Sequence, residues 1–230
     1  MKSSGKKRIV LLALSATLAT AAAKAQEVSI AADLVSNYIW RGEKCGDAGF
    51  QPSVTFGYKG FSFTAWGSTD FTGDAFELDL TAAYTAGKFE FALTDYFATS
   101  DVHSESYFHY RAGAGHVFEG TVNYTVSETI PLTVSWNTYF AGTDDTYAAH
   151  DYSTYIEAAY PFTLDCIDLE SRIGLTPWKG AYADRFNVVN LSLRASKTFP
   201  LKAGFALEPY VELIFNPAAE KAFMVFGLGI

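Results

Sequence analysis

The sequence lacks any long apolar run after its first 25 residues. No segment between residues 26 and 230 approaches the roughly 20 apolar residues that a membrane-spanning helix needs. If the chain crosses a membrane, strands must therefore do so.

The apolar run IVLLALSATLATAAA lies within the first 25 residues, between the basic segment MKSSGKKR and the small-residue motif Ala23-Lys24-Ala25. This order is typical of a secretory signal peptide. We expect residues 1–25 to be removed and residues 26–230 to form the exported protein.

Basic residues are scarce in the remaining chain. The signal peptide holds five of the 17 basic residues and no acidic residue, which leaves 12 basic against 25 acidic residues and a formal charge of −13. Such a balance argues against nucleic acid as a partner.

Helical periodicity is also missing, and a period of two residues takes its place. In FELDLTAAY, for example, apolar side chains alternate with Glu77, Asp79 and Thr81. One face of such a strand is apolar and the other is polar. The same alternation predicts twelve strands, at residues 28–41, 50–58, 61–69, 76–85, 89–98, 115–126, 131–141, 152–162, 167–175, 186–197, 205–215 and 222–230.

The connections between these strands alternate between short turns, such as YKG and TAGK, and longer polar loops. This layout predicts an all-β fold, an up-and-down antiparallel transmembrane β-barrel of about 12 strands. Aromatic residues near strand ends also favour a barrel, because membrane barrels carry aromatic girdles at both interfaces. The alternative is a soluble β-sandwich with these rings in its core. The residues in question are Tyr38, Trp40, Tyr58, Tyr84, Phe89, Tyr124, Phe140, Tyr152, Tyr160 and Phe162.

The segment SNYIWRG, residues 36–42, ends the first predicted strand. We expect Tyr38 and Trp40 to meet the outer membrane interface there and Gly42 to begin a loop. Arg41 then points into the mouth of the lumen or into the lipid headgroup layer. The alternative for Arg41 is an ordinary solvated charge at a strand end.

Three segments near the N-terminus resemble a known family. SNYIWRG, the following FQPSV and the later AWGS at residues 65–68 are similar to the N-terminal signature of the Gcw-CHP family of outer-membrane barrels. The resemblance covers roughly the first 45 exported residues. It implies an exported barrel in the bacterial outer membrane, and it implies no particular activity.

The inward face of the predicted barrel is rich in charged residues. The lumen charges are Asp33, Arg41, Glu77, Asp79, Glu157, Glu170, Arg172, Arg194, Glu208 and Glu212, and the same face also holds Glu90, Glu119 and Asp168. We expect Arg172 and Arg194 to bridge carboxylates on neighbouring strands, since isolated charges are costly to bury. Four acids have no evident basic partner: Asp33, Glu77, Asp79 and Glu212.

Residues suited to other chemistry are few. The four histidines have no metal-ligand spacing, so we predict no metal site and no cofactor. DVHSESYFHYR, residues 101–111, holds Ser, His and acidic residues together, but a catalytic triad is defined by geometry and we assign no catalytic residue. Cys45 is predicted in an outer loop and Cys166 in a periplasmic turn, across a hydrocarbon core of roughly 25 Å. We therefore expect no disulfide between them.

Three functions fit these features. The first is a narrow, cation-preferring diffusion channel in the bacterial outer membrane. The second is a closed structural or surface-interaction barrel, and the third is an enzyme that modifies lipids of the outer leaflet. In each case the partners are outer-membrane lipid, lipopolysaccharide and the barrel-assembly machinery.

Two features depart from the usual pattern of such barrels. The chain ends in Ile230, where an aromatic residue is usual, and Pro209 is expected to weaken strand pairing locally.

Overall fold

Twelve long strands form a closed antiparallel barrel in the computed structural model, which describes residues 27–73, 75–99, 107–110, 115–142, 152–201 and 205–230. The predicted fold is confirmed, and the predicted signal peptide lies outside the described residues. The barrel strands are β1 (Glu27–Val35), β4 (Gly49–Tyr58), β5 (Phe61–Asp70), β6 (Phe76–Ala86), β7 (Phe89–Thr99), β8 (His116–Thr125), β9 (Thr133–Gly142), β10 (Thr154–Leu164), β11 (Ile167–Thr176), β12 (Asn187–Ser196), β14 (Ala206–Asn216) and β15 (Lys221–Gly229).

Three short strands lie outside this ring. They are β2 (Tyr38–Trp40), β3 (Glu43–Gly46) and β13 (Phe199–Pro200). Each barrel strand pairs with its neighbours in chain order, and β1 pairs with β15 to close the ring. The pairing of Asp33 with Gly229 lies in this seam. In the described part of the chain, no helix is long and apolar enough to cross a membrane.

The two ends of the barrel differ. One end carries Glu27, which is the first described residue, Ile230 and the connections 59–60, 87–88, 126–132, 165–166 and 197–201, and we call it the turn end. The other end, which we call the loop end, carries the connections from which the structure describes residues 36–48, 71–73, 75, 107–110, 115, 152–153, 177–186 and 217–220.

Alternation along the strands separates an apolar outer face from a polar lumen. On β1, Val28 and Ile30 are 65% and 69% exposed on the outer face, whereas Asp33 lies on the inner face. On β5, the exposed Phe61 and Phe63 lie on the outer face. Because an apolar surface of this extent is unfavourable in water, its natural surroundings are lipid chains.

The first strand is shorter than the sequence suggests. β1 ends at Val35, and β2 and β3 form a separate hairpin, residues 38–46, that folds into the barrel; we call it the lumen hairpin. The prediction that Tyr38 and Trp40 belong to the outer girdle is therefore wrong. Arg41 and Gly42 have φ angles of 49° and 82°, and two successive positive φ values are typical of the tight two-residue turns of β-hairpins. This turn reverses the chain inside the lumen.

Two local irregularities affect the wall. Pro209 pairs regularly with Leu228 on β15, but on its other side the ladder stops at Ser196 and resumes at Phe199 on β13. The expected weakening thus occurs on one side of β14 only. A register shift opposite Gly174 also leaves Val189 without a partner on β11. Alternation in NVVNLSLRA predicts Val189 on the apolar outer face together with Leu191 and Leu193. Because of the shift, its side chain is instead only 1% exposed.

Candidate functional site

The lumen hairpin places Arg41 in a buried ion pair with the barrel wall. Arg41 Nη1 donates to Glu119 Oε2 on β8 at 2.6 Å, and Nη2 donates to Glu119 Oε1 at 2.9 Å. Nη1 also donates to the Tyr182 hydroxyl, which belongs to the 177–186 loop. Both partners of the ion pair are nearly inaccessible to solvent. A two-point contact between guanidinium and carboxylate fixes the orientation of both groups.

Aromatic rings surround the same guanidinium. Its central carbon lies 4.7 Å from the ring centre of Trp40 and 4.6 Å from that of Tyr155 on β10. Burial opposes the charge of Arg41, but the neighbouring Glu119 carboxylate and Tyr182 outweigh this effect and raise the pKa of Arg41 well above its ordinary value. Arg41 therefore remains a cation although it is buried.

The other side of the lumen hairpin is attached to the opposite part of the barrel. Asn216 Nδ2, on β14, donates to the Gly42 carbonyl at 3.2 Å and to Glu43 Oε1 at 2.8 Å. Lys221, on β15, lies 3.0 Å from Glu43 Oε2. A side chain on Gly42 would overlap the Val189 carbonyl of β12. The hairpin thus crosses the lumen and contacts the wall on both sides.

The strands β10, β11, β12 and β14 carry the two wall arginines. Arg172 lies between Glu157, at 3.6 Å, and Glu170, whose carboxylate it also contacts. Arg194 lies 3.5 Å from Glu208. Glu212 faces Arg194 across the β12–β14 ladder without an ion pair within 4 Å. We call these six residues the arginine wall.

Two tyrosines on the same strands as the arginine wall, Tyr155 and Tyr210, have rings that lie over glycines of the neighbouring strands. A Cβ on Gly174 would overlap the Tyr155 ring, and a Cβ on Gly227 would overlap the Tyr210 ring. The Arg194 guanidinium in turn lies 3.5 Å from the centre of the Tyr210 ring. The absence of a side chain at these glycines therefore makes room for the rings that line the lumen.

Glu77 and Asp79, which we call the acidic pair, lie on the opposite side of the barrel. Their strand, β6, is six strands from β12 in either direction around the ring. Within the described residues, neither carboxylate has a basic group within 4 Å. Asp79 is 6% exposed, and its Oδ1 atom has no hydrogen-bond partner. Asp33, which lies in the seam between β1 and β15, likewise forms no ion pair with a described residue.

All ten predicted lumen charges lie on the inner face or, for Arg41, on the lumen hairpin. Sequence reasoning missed the aromatic residues beside them. Tyr96, Tyr139 and Tyr155 lie on the inner face of β7, β9 and β10, and Tyr182 approaches from a loop. Strand parity contained this signal for Tyr96 and Tyr155, because Tyr96 has the same parity as the inward-facing Glu90 and Tyr155 precedes the inward-facing Glu157 by two residues. Tyr139 pairs with Glu119 only after a register shift, which the sequence does not show.

A second buried polar group lies on the outer face near the loop end. His116 Nδ1 is 2.8 Å from Asp95 Oδ1, and Nε2 is 2.6 Å from the Tyr107 carbonyl oxygen. Both ring nitrogens are thus occupied, and neither contacts a nucleophile among the described residues. The segment considered for a catalytic triad falls largely outside the described residues, as do His103 and His150. No group of three metal-binding side chains occurs in the described ranges.

Comparison with solved structures supports the fold. The chain is similar to the KdgM porin with a TM-score of 0.50 and 9% sequence identity, over 89% of this chain and 97% of that chain. A structure described as "Asymmetric conductivity of engineered proteins" gives a TM-score of 0.39 and 13% identity, over 79% of this chain and 55% of that chain. No protein-family model matches the sequence, and no curated protein matches it. At these identities, the likeness to the KdgM porin is a likeness of fold.

Proposed function

We propose that this protein is a narrow, cation-preferring diffusion channel of the bacterial outer membrane. The closed twelve-strand barrel, its apolar outer face and its porin-like fold support this function. Outer-membrane lipid and lipopolysaccharide would surround the apolar face, and the barrel-assembly machinery would insert the exported chain.

The observation that carries the proposal is the excess of acid in the lumen. Of the thirteen charged residues that the sequence assigns to the lumen, only three are basic: Arg41, Arg172 and Arg194. All three of these arginines form ion pairs with carboxylates, so none of the three is left for the acidic pair. Carboxylates that line a pore attract cations and repel anions.

The lumen hairpin would make the channel narrow. Eight-stranded barrels are filled by their own side chains, and sixteen-stranded barrels hold wide aqueous channels. Twelve strands enclose an intermediate lumen. Because the hairpin crosses that lumen and contacts both sides, the passage that remains must run beside it.

The same hairpin also supports a second candidate function, a closed structural or surface-interaction barrel. A segment fixed by Glu119 on one side and by Asn216 on the other would act as a plug if it left no continuous passage.

Reconstitution of the purified protein into planar lipid bilayers separates the two functions. A channel should give discrete single-channel currents in KCl, with a conductance below that of a sixteen-stranded porin measured in the same bilayer. A bilayer that stays silent, although the protein has inserted in folded form, would overturn the channel and support the closed barrel.

A further inference from the structure

The acidic pair lies in an unusual electrostatic environment. Glu77 and Asp79 are two residues apart on β6, so both side chains point into the lumen. Their direct neighbours across the adjacent strands are all uncharged: Ser68 and Ala98 for Glu77, Trp66 and Tyr96 for Asp79. The wall around the pair therefore offers no charge that could balance two carboxylates.

The lumen hairpin places the side chain of Tyr38 next to the acidic pair. The Tyr38 ring packs against Trp66 at a centroid distance of 5.5 Å, which holds Tyr38 beside β5 and β6. Trp66 is the direct cross-strand partner of Asp79, so the Tyr38 ring lies beside the acidic pair. Three oxygen-bearing side chains from two separate elements, one on β2 and two on β6, are thus neighbours in the lumen.

Asp79 has a buried oxygen atom whose hydrogen-bonding capacity is not satisfied. It is 6% exposed, and its buried Oδ1 atom has no hydrogen-bond partner. A buried carboxylate oxygen without a partner is strongly unfavourable, and two neighbouring carboxylates add mutual repulsion. A cation between the carboxylates removes both costs.

We propose that Glu77, Asp79 and Tyr38 form a binding site for one monovalent cation, such as K⁺, beneath the lumen hairpin. The donors are two carboxylates and one hydroxyl, fewer than the six to eight oxygens that Ca²⁺ takes. This inference rests on the proposed channel function, because the bound cation would be one that passes through the narrow passage beside the site.

Heat unfolding of the purified protein in detergent tests the site without any current being measured. Unfolding midpoints are compared in KCl and in choline chloride at equal ionic strength, because choline is too large for a site of three side chains. A cation that binds only the folded protein raises its stability. We expect the wild-type midpoint to be about 3 °C higher in KCl, and this difference to vanish in Asp79→Asn and in Glu77→Gln.

Two further variants make the result interpretable. Tyr38→Phe removes only the hydroxyl and should reduce the KCl effect even if the carboxylate variants fold poorly. Glu90→Gln is the matched control, since Glu90 also lies on the inner face but accepts hydrogen bonds from Asn123 and Thr85. This control should keep the full effect.

Equal wild-type midpoints in the two salts would overturn the site and indicate that the two carboxylates share a proton. A KCl effect that survives in both Asp79→Asn and Glu77→Gln would overturn it as well. Failure of the channel is distinguishable from failure of the site, because a protein silent in bilayers can still show the salt effect, and a conducting protein can lack it.

Discussion

At the scale of single residues, the ion pair between Arg41 and Glu119 holds the lumen hairpin in place. The two side chains are as buried as those of a protein core, although Arg41 lies in the turn of the lumen hairpin. Arg41 also has a φ of 49°, a conformation that residues other than glycine adopt rarely and at some cost. The contacts of its guanidinium with Glu119, Tyr182 and the aromatic rings offset that cost.

Removal of the Glu119 charge should therefore destabilise the folded protein. We expect Glu119→Gln to lower the free energy of unfolding by roughly 3–5 kcal/mol, because it leaves the Arg41 charge buried without a counter-ion. The measurement is a urea titration of the protein folded in lipid vesicles.

Lys44→Gln is the control for this experiment. Lys44 belongs to the same lumen hairpin, and the variant breaks its ion pair with Asp47, but the two side chains are 46% and 59% exposed. Exposed pairs of this kind contribute about 1 kcal/mol or less. Equal losses in the two variants would contradict the role assigned to Glu119.

The sequence was most informative about residues on regular strands. Alternation alone placed Glu157, Glu170 and Arg172 on the inner face, because side chains of a strand point to opposite faces in turn. It could not show that Glu119 binds Arg41, since the two residues are 78 positions apart and meet only after the hairpin folds inward. Val189 was misplaced because a single unpaired residue shifts the alternation on one strand.

At the scale of elements, the lumen hairpin is the main departure from the predicted strand pattern. Tyr38, Ile39 and Trp40 alternate like the end of a membrane strand, and this pattern concealed the break after Val35. Arg41-Gly42 between two short segments contained the signal of a tight hairpin turn, because glycine readily adopts a positive φ. Whether such a hairpin folds inward depends on contacts with many separate strands, from Trp66 on β5 to Lys221 on β15, which no local pattern encodes.

Replacement of the lumen hairpin tests its effect on conduction. Substitution of residues 38–46 by a Gly/Ser linker of equal length removes Arg41 and both short strands while it leaves the barrel strands intact. We expect the single-channel conductance to rise several-fold, because the passage no longer has to run beside a packed hairpin. A folded variant with unchanged conductance would show that the hairpin does not narrow the channel.

The two ends of the barrel give a second prediction at this scale. If both termini lie in the periplasm, the loop end faces the outside of the cell. In a variant that lacks Cys45 and Cys166, a membrane-impermeant maleimide should label Thr72→Cys on intact cells and leave Lys88→Cys unlabelled. Both positions are exposed, one at each end of the barrel. The opposite labelling pattern would reverse the orientation.

At the scale of the whole molecule, the closed barrel followed from three properties of the sequence: a period of two residues, alternation of short and long connections, and no apolar run after residue 25. The strand count was recovered because each strand is bounded by turn residues or polar loops. Closure could be predicted because, with an even number of strands, the last strand runs antiparallel to the first and can pair with it. Both cysteines are free, as predicted, although Cys45 lies on β3 of the lumen hairpin and not in an outer loop.

The interior of the molecule combines two electrostatic regions. The arginine wall is crossed by ion pairs between strands, and the acidic pair on the other side of the lumen has no basic partner among the described residues. A solute that moves through the barrel would therefore meet more acidic than basic side chains. The sequence predicted this excess from composition and parity, but the position of the hairpin between the two regions required the structure.

The reversal potential in a KCl gradient tests the cation-preferring channel most directly. It is measured across planar bilayers for the wild type and for a variant that combines Glu77→Gln, Asp79→Asn and Glu212→Gln. The wild type should show a reversal potential with the sign expected for K⁺ permeation, and the triple variant should lose most of it because three negative charges of the lumen are gone. An open wild-type channel that prefers Cl⁻, or a triple variant with unchanged selectivity, would contradict the account.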